Sequence, residues 1–223
     1  MPQDTQRIFY RRNLPHWQPP GATIFLTWRL YGSLPKDTLL RLEEERKILT
    51  QQPVRSGELP ADRKIRHTKQ IFALTDKLLA QATDGPHWLK DPRLAQLVVD
   101  ALFFFHNQRY TLLAFVVMSN HVHVLLTPLP NQTESESISY VPLSKITQSL
   151  KGYTARECNR ILQRTGQRFW QEESYDHWVR NGAELERIVA YIESDPVRSG
   201  LTETPEAWRW SSAWEHCYGR WQP

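Results

Sequence analysis

Hydrophobic and polar positions alternate in a short segment near the start of the chain. Between residues 22 and 31 every second position is apolar, as in Ile24, Leu26, Trp28 and Leu30. A period of two predicts a β-strand with one buried face. Two further strands are predicted at 110–117 and 121–127. Only three residues separate these two strands, so an antiparallel hairpin or tight turn is expected between them.

Periods near 3.6 residues predict helices elsewhere in the chain. The predicted helices are 38–51, 68–82, one that starts at Asp91-Pro92, 143–162 and 184–194. Asp37 is expected to cap the first of them, and the polar, proline-containing residues 52–67 are expected to form a loop. Aromatic side chains alternate in a strand-like manner over 168–179. Without an internal repeat or a second core, this mixture predicts one α+β domain, 1–223.

Composition limits the class of protein further. The chain has 223 residues, 40% of them hydrophobic, and a formal net charge of +4, which is a weak indication of a polyanionic partner. Cys158 and Cys217 form no CxxC motif, which argues against a disulfide framework or a cysteine-rich zinc site. No signal peptide or membrane span is apparent, so we expect a cytoplasmic protein without a membrane partner. Residues 1–20, with Arg11 and Arg12, are expected to form a basic extended arm or a solvated tail.

Two histidines, His121 and His123, lie two positions apart in one predicted strand. Residues i and i+2 of a strand point to the same face, so the two imidazoles should lie side by side and could share one metal ion. Two histidines do not distinguish zinc from harder ions, whereas a third, oxygen ligand would favour Mg²⁺ or Mn²⁺. The alternative is a pair of surface or edge-strand histidines without a metal.

Tyr191 and Asp195 lie four residues apart at the end of a predicted helix and should share a face. A phenol close to a metal-bound phosphate can attack phosphorus, and the carboxylate could be the third metal ligand. The alternative is a tyrosine that only packs or forms a structural hydrogen bond. Tyr153 and Tyr175 are competing candidates for the nucleophile.

The helix predicted at 143–162 and the residues after it are rich in positive charge. Its basic residues are Lys145, Lys151, Arg156, Arg160, Arg164 and Arg168. The three arginines at 156, 160 and 164 recur every four residues, so they should share one helix face that could bind phosphates. Tryptophans crowd the aromatic tail at about 203–223, where unpaired bases could stack. An ordinary solvated helix face and ordinary core tryptophans are the alternatives.

In their order along the chain, several motifs resemble the REP-associated tyrosine transposases, a branch of the single-tyrosine HUH transposases. The motifs are FVVMSNHVHVLLTPLP at 115–130, LSKITQSLKGYTARECNRIL at 143–162, RFWQEESYDHWVR at 168–180, and YIESDPVRSGL at 191–201 followed by WRWSS at 208–212. The chain differs from the usual pattern at Asp195, where asparagine is common, and at Ser119, where proline is common. Neither difference removes a ligand.

The resemblance implies a fold, a site and an activity. The fold would be a ferredoxin-like antiparallel sheet with packed helices, the HUH motif on a central strand, and a helical insertion at about 37–90. His121, His123 and Asp195 would bind Mg²⁺ or Mn²⁺, without a small-molecule cofactor. Tyr191 would cut single-stranded DNA near a hairpin, leaving a 5′-phosphotyrosine and a free 3′-hydroxyl for rejoining. The remaining alternatives are a non-catalytic hairpin-binding protein, a metal-dependent phosphohydrolase, and either a monomer or a dimer.

Overall fold

The computed structural model describes residues 19–130 and 139–218. The predicted basic arm with Arg11 and Arg12, most of the polar loop at 128–140, and the last five residues of the aromatic tail therefore lie outside the described residues. The chain forms two compact units. Of the described residues, one unit contains 19–31, 88–130 and 139–218, and the other is Gly32–His87. No helix of the described part is both long and apolar enough to cross a membrane.

The first unit is built on a four-stranded sheet. Its strands are β1 (Ile24–Arg29), β2 (Tyr110–Val117), β3 (His121–Pro128) and β4 (Tyr175–Trp178). Their order is β2-β3-β1-β4, and every neighbouring pair is antiparallel. Helices connect β1 to β2 and β3 to β4, so order and connectivity are those of a ferredoxin-like fold. The predicted α+β class is confirmed, and the histidine motif lies on β3, a central strand.

Two helices cover one face of this sheet. They are α3 (Pro92–Phe105) and α4 (Leu143–Ile161), which pack against each other and share a core with the apolar side of the sheet. Asp91 begins α3 as expected, since its side chain accepts a hydrogen bond from the Arg93 backbone N–H at 2.9 Å. A bulge between Leu112 and Ala114 shifts the alternation of β2 and keeps Leu112 and Phe115 on the same core side.

The C-terminal helices lie on the opposite face and at the β2 edge. They are α5 (Gly182–Glu193), α6 (Asp195–Arg198) and α7 (Ser212–Cys217). Helix α5 packs on β2 and β3, and α7 packs on β2. Before α7, the Val117 backbone N–H donates to the Trp210 carbonyl at 2.8 Å, and the Trp208 indole donates to the Val117 carbonyl at 3.1 Å. This segment therefore covers one end of the β2 edge.

The prediction for residues 168–179 was wrong in extent, because only Tyr175–Trp178 forms a strand. Phe169 and Trp170, adjacent in sequence, are both buried, which a regular alternation does not allow. Trp170 makes a single bridge to Leu30 instead of continuing the strand.

The second unit is a pair of helices, for which two predictions were wrong in detail. They are α1 (Lys36–Gln51) and α2 (Pro60–Gln81), with a small core that includes Leu42 and Leu79. Residues 60–67 form helix and not the predicted loop, because Pro60 occupies the first turn of α2, where a missing N–H is tolerated. Asp37 does not cap α1. It lies inside the first turn, where its charge is still favourable to the helix dipole.

Candidate active site

His121 and His123 lie on the same face of β3, and both are buried. Their Nε2 atoms lie 3.3 Å and 3.6 Å from one atom, Oδ2 of Asp195. Asp195 begins α6 and is 1% exposed, so the three side chains form one buried cluster. A divalent ion about 2.1 Å from each donor would hold neighbouring donor atoms about 3 to 3.5 Å apart. The two histidine–aspartate distances are therefore close to those of donors that share one ion.

Hydrogen bonds to the outer ring nitrogens orient both imidazoles. Asn120 Oδ1 lies 2.7 Å from His121 Nδ1, and Thr27 Oγ1 lies 2.7 Å from His123 Nδ1. Such outer partners fix the tautomer and the ring orientation of histidine ligands. Sequence reasoning missed Thr27, because only the pairing of β1 with β3 brings it opposite His123.

The donor set fits a cation for a second reason. Asn120 Oδ1 can only accept a hydrogen bond, so its contact with His121 requires a proton on Nδ1. A neutral His121 then has a lone pair on Nε2, which lies 3.3 Å from a carboxylate oxygen of Asp195. Two acceptor atoms repel each other at this distance unless a proton or a cation lies between them.

Arg198 joins Asp195 to Tyr191 and was not identified from the sequence. Its Nη2 donates to Asp195 Oδ1 at 2.8 Å, and its Nη1 donates to the Tyr191 carbonyl at 2.8 Å. Its guanidinium carbon also lies 4.0 Å from the centre of the Tyr191 ring. The spacing of three residues from Asp195 was the available signal, since residues i and i+3 of a helix are neighbours. One carboxylate oxygen thus faces the arginine, and the other faces the histidines.

Tyr191 lies near the end of α5, beside the histidine cluster. Its ring centre is 5.8 Å from that of His123 and 6.1 Å from that of Phe25 on β1. Asn181 caps the start of α5 by accepting from the Glu184 backbone N–H at 2.9 Å. Pro196 lacks a backbone N–H, so the regular α-helical pattern is interrupted where α5 meets α6. The structure brings Tyr191 and both histidines together within one chain.

The two competing tyrosines are placed differently. Tyr153 is exposed on α4, whose apolar side packs on the sheet face that carries Val122 and Val124. That face is opposite to the histidines. Tyr175 lies on β4, with its ring 6.0 Å from that of Phe25. Burial, together with the nearby Asp176 and Glu184, raises the pKa of the Tyr175 phenol well above its ordinary value, which disfavours the phenolate.

The predicted phosphate-binding residues do not gather around the histidines. Lys145, Arg156 and Arg160 are exposed on α4, which covers the face opposite to the histidines. The guanidinium groups of Arg156 and Arg160 both contact Glu157, at 3.1 Å and 3.0 Å. Lys151 donates to two backbone carbonyls in the segment before β4.

Arg164 and Arg168 follow α4 and have aromatic neighbours. The guanidinium carbon of Arg164 lies 3.9 Å from the ring centre of Trp88, and that of Arg168 lies 5.3 Å from the ring centre of Tyr31. Trp170, by contrast, is a core residue whose indole donates to Thr154 at 2.9 Å. The indole groups of Trp170 and Trp208 therefore both donate hydrogen bonds within the fold, as expected of tryptophans with a structural role.

The chain is similar to known proteins in sequence. A family model described as "Transposase IS200 like" matches residues 101–195, which include both histidines, Tyr191 and Asp195. A protein of Haemophilus influenzae (strain ATCC 51907 / DSM 11121 / KW20 / Rd), assigned by its name to the REP-associated tyrosine transposases, is 27% identical over 105 residues. The match covers 44% of this chain and 56% of that relative, so it spans about half of the relative's length.

Two solved structures are also similar. One, described as a REP-associated tyrosine transposase bound to a REP hairpin, has a TM-score of 0.48 and 15% identity over 99% of this chain and 88% of its own. The other, a transposase by its description, from Deinococcus radiodurans R1, has a TM-score of 0.29 and 14% identity over 87% of this chain and 98% of its own. Residues 101–195 are thus similar to the IS200-like transposases, and the resemblance of the chain to the REP-associated tyrosine transposases is confirmed.

Proposed function

We propose that this protein cuts single-stranded DNA at hairpins and rejoins it, with Tyr191 as nucleophile. His121, His123 and Asp195 would hold one Mg²⁺ or Mn²⁺ ion. The observation that supports this most directly is the convergence of both imidazole Nε2 atoms on Asp195 Oδ2, at 3.3 Å and 3.6 Å. The Tyr191 ring lies 5.8 Å from that of His123, beside this cluster. The family match over residues 101–195 supports DNA as the substrate.

The resemblance to the REP-associated tyrosine transposases implies the polarity of the cut. The Tyr191 oxygen forms a bond to phosphorus, and the bond from phosphorus to the 3′ oxygen breaks. The proton lost by the phenol is balanced by the proton gained at the 3′-hydroxyl. The phosphodiester energy is kept in the 5′-phosphotyrosine ester, so the hydroxyl of a DNA end can reverse the step without a nucleotide cofactor. The cation, when bound, would polarise the scissile phosphate and stabilise charge in the transition state.

Arg198 and the outer hydrogen bonds would provide positioning. Arg198 holds Asp195 through Oδ1 and the end of α5 through the Tyr191 carbonyl, so ligand and nucleophile are fixed relative to each other. Its guanidinium carbon, 4.0 Å from the centre of the Tyr191 ring, also restricts the orientation of that ring. Because the site is assembled from one chain, we expect catalysis in cis.

Basic residues would bind the DNA away from the reacting phosphate. Lys145, Arg156 and Arg160 present exposed charge on α4, suited to the phosphates of a hairpin stem. Arg164 contacts Trp88, whose neighbour Leu89 is hydrogen-bonded to Ser119 in the turn that precedes His121, and Arg168 contacts Tyr31. Arg11 and Arg12 of the N-terminal arm would add further phosphate contacts. In this proposal Lys151 does not bind phosphate directly but fixes the segment before β4, to whose Gln171 and Glu172 carbonyls it donates.

The test is formation of a covalent protein–DNA adduct. Labelled single-stranded hairpins from the DNA flanking the gene are incubated with full-length protein and Mn²⁺ or Mg²⁺, then separated under denaturing conditions. We expect an adduct with the wild type and with Tyr175→Phe, the matched control from the same face of the sheet. Tyr191→Phe and His121→Ala should abolish it.

The other outcomes contradict specific parts of the proposal. An adduct that survives Tyr191→Phe means that another residue is the nucleophile. Hairpin binding without any adduct, for several flank-derived hairpins, supports a non-catalytic hairpin-binding protein. Hydrolysis without an adduct supports a phosphohydrolase in which Tyr191 is structural.

A further inference from the structure

Two aromatic side chains lie at the end of the sheet where His121 begins β3. Tyr31 follows β1, and its backbone N–H donates to the Phe169 carbonyl at 2.8 Å. Trp88 precedes Leu89, whose N–H donates to the Ser119 carbonyl at 3.1 Å. Ser119 belongs to the turn between β2 and β3, two residues before His121. Both side chains therefore belong to segments that are adjacent in sequence to residues hydrogen-bonded with the turn before His121.

Each of these rings has an arginine beside it. Trp88 stacks on Phe169, with ring centres 5.3 Å apart, and Arg164 lies on Trp88 at 3.9 Å. The Trp88 ring thus contacts both the Phe169 ring and the Arg164 guanidinium. Arg168 lies 5.3 Å from the Tyr31 ring, which is 43% exposed. A planar guanidinium and an exposed phenol ring are both surfaces on which bases stack.

The charges of these two arginines are not neutralised within the part of the chain that the structure describes. Among residues 19–130 and 139–218, neither guanidinium forms a salt bridge with a carboxylate, and Arg164 bonds to the neutral amide of Gln167 at 3.0 Å and 2.8 Å. Arg156 and Arg160 on α4 instead share Glu157. Fixed, uncompensated charge beside stacking surfaces is the combination that binds unpaired nucleic acid.

We propose that Tyr31, Arg164 and Arg168 form a binding site for unpaired nucleotides next to the catalytic centre. The site would bind the single strand that adjoins the hairpin, with a base stacked on Tyr31 or on the Arg164 plane and phosphates paired with both arginines. This proposal rests on the proposed function, because it assigns the path of the same DNA strand. It predicts that an unpaired extension increases affinity and that these residues carry the increase.

The experiment measures the gain in affinity from an unpaired extension. Fluorescence polarisation gives Kd for a flank-derived hairpin with blunt ends and for the same hairpin with a short single-stranded extension on either side, in EDTA, with full-length protein. For each extension, the quantity compared is the Kd of the blunt hairpin divided by the Kd of the extended hairpin. One stacked base is worth about a 5- to 150-fold change in Kd, so the wild-type ratio should lie in or above that range for one of the two extensions.

Two independent variants test the assignment. Tyr31→Leu and the double variant Arg164→Gln with Arg168→Gln should each reduce the ratio at least about fivefold, towards one. The matched control is Tyr153→Leu with Arg156→Gln, the exposed tyrosine–arginine pair on α4, in which the guanidinium carbon lies 5.7 Å from the ring centre. This control should leave the ratio unchanged even if it weakens binding of both DNAs.

The outcomes separate this proposal from the proposed function. A wild-type ratio near one, or a ratio that both test variants leave unchanged, overturns the nucleotide site. So does a control variant that lowers the ratio as much as the test variants. The covalent adduct is measured in parallel with Mn²⁺, and its absence counts against the catalytic proposal while the Kd ratios remain valid.

Discussion

Replacing Thr27 with valine removes one hydrogen bond from a candidate metal ligand and leaves the volume of the side chain almost unchanged. Thr27 is 6% exposed on β1, and its hydroxyl lies 2.7 Å from His123 Nδ1. Without this partner the imidazole loses its fixed orientation, and a buried ring nitrogen is left without its hydrogen bond. Valine suits a strand as well as threonine does, so the backbone should not change.

The magnitude follows from the burial of this contact. Loss of an outer hydrogen-bond partner of a metal ligand typically weakens metal binding about 10- to 100-fold, or about 1.4 to 2.7 kcal/mol. Because the His123 contact is fully buried, water cannot replace the hydroxyl, and we expect a value in the upper half of this range. Loss of a hydrogen bond between two buried groups should also lower the free energy of unfolding of the metal-free protein by about 0.5 to 1.5 kcal/mol.

The assay is a calorimetric titration of DNA-free protein with Mn²⁺, together with a urea unfolding curve. Thr23→Val is the matched control, because Thr23 lies four residues earlier on the same side, and its hydroxyl bonds Thr127 at 2.8 Å, away from the histidines. The control should bind Mn²⁺ as the wild type does. Equal Mn²⁺ affinity for Thr27→Val and the wild type would refute the idea that this bond orients a ligand, and equal weakening by both variants would point to a general effect of the strand.

Three further results are expected. Asp195→Ala should weaken Mn²⁺ binding more than Asp195→Asn, because the amide retains one oxygen donor; the same titration measures both, and equal losses would contradict a ligand role. A thiol reagent should label only Cys217 in the folded protein and both cysteines in urea, since Cys158 is buried and burial raises its pKa to about 12, as mass spectrometry can establish. Hydrogen bonds and the charge of Arg66 lower the pKa of Glu58 to about 2, so their stabilising effect is complete above the ordinary carboxyl pKa and is lost as the pH falls towards about 2. Thermal unfolding of the wild type should therefore approach that of Glu58→Gln on acidification, and a constant difference would count against the ion pair.

The sequence predicted β1, β2 and β3 well because each of these strands places apolar side chains on the buried, helix-covered face of the sheet. Alternation in β1 and the short turn before His121 were enough to place three strands and the histidine pair. The short β4 strand was less predictable, because Phe169 and Trp170 pack in the core without belonging to a regular strand. The prediction was also wrong at Pro60, which was expected to lie in a loop but begins a helix. Proline is compatible with both, because the first turn of a helix tolerates a missing N–H.

The candidate site was predictable only where its residues lie close together in sequence. His121 and His123, like Tyr191 and Asp195, are related by the periods of one element. Thr27 reaches His123 through strand pairing with a segment almost a hundred residues away, which no local period encodes. The basic side of α4 shows the same limit, since amphipathicity identifies the buried side of a helix but not the face of the sheet that the helix covers.

The segment before α7 has a consequence for synthesis of the protein. Trp208 and Trp210 cover the end of the β2 edge at Val117, but they leave the ribosome about ninety residues later than Val117 does. At about 5 to 20 residues per second, translation keeps this edge open for roughly 5 to 20 seconds. During that interval the unpaired backbone of an apolar strand can pair with a neighbouring nascent chain. Slow codons between positions 118 and 208 would prolong the exposure and should increase the demand for chaperones bound to the ribosome.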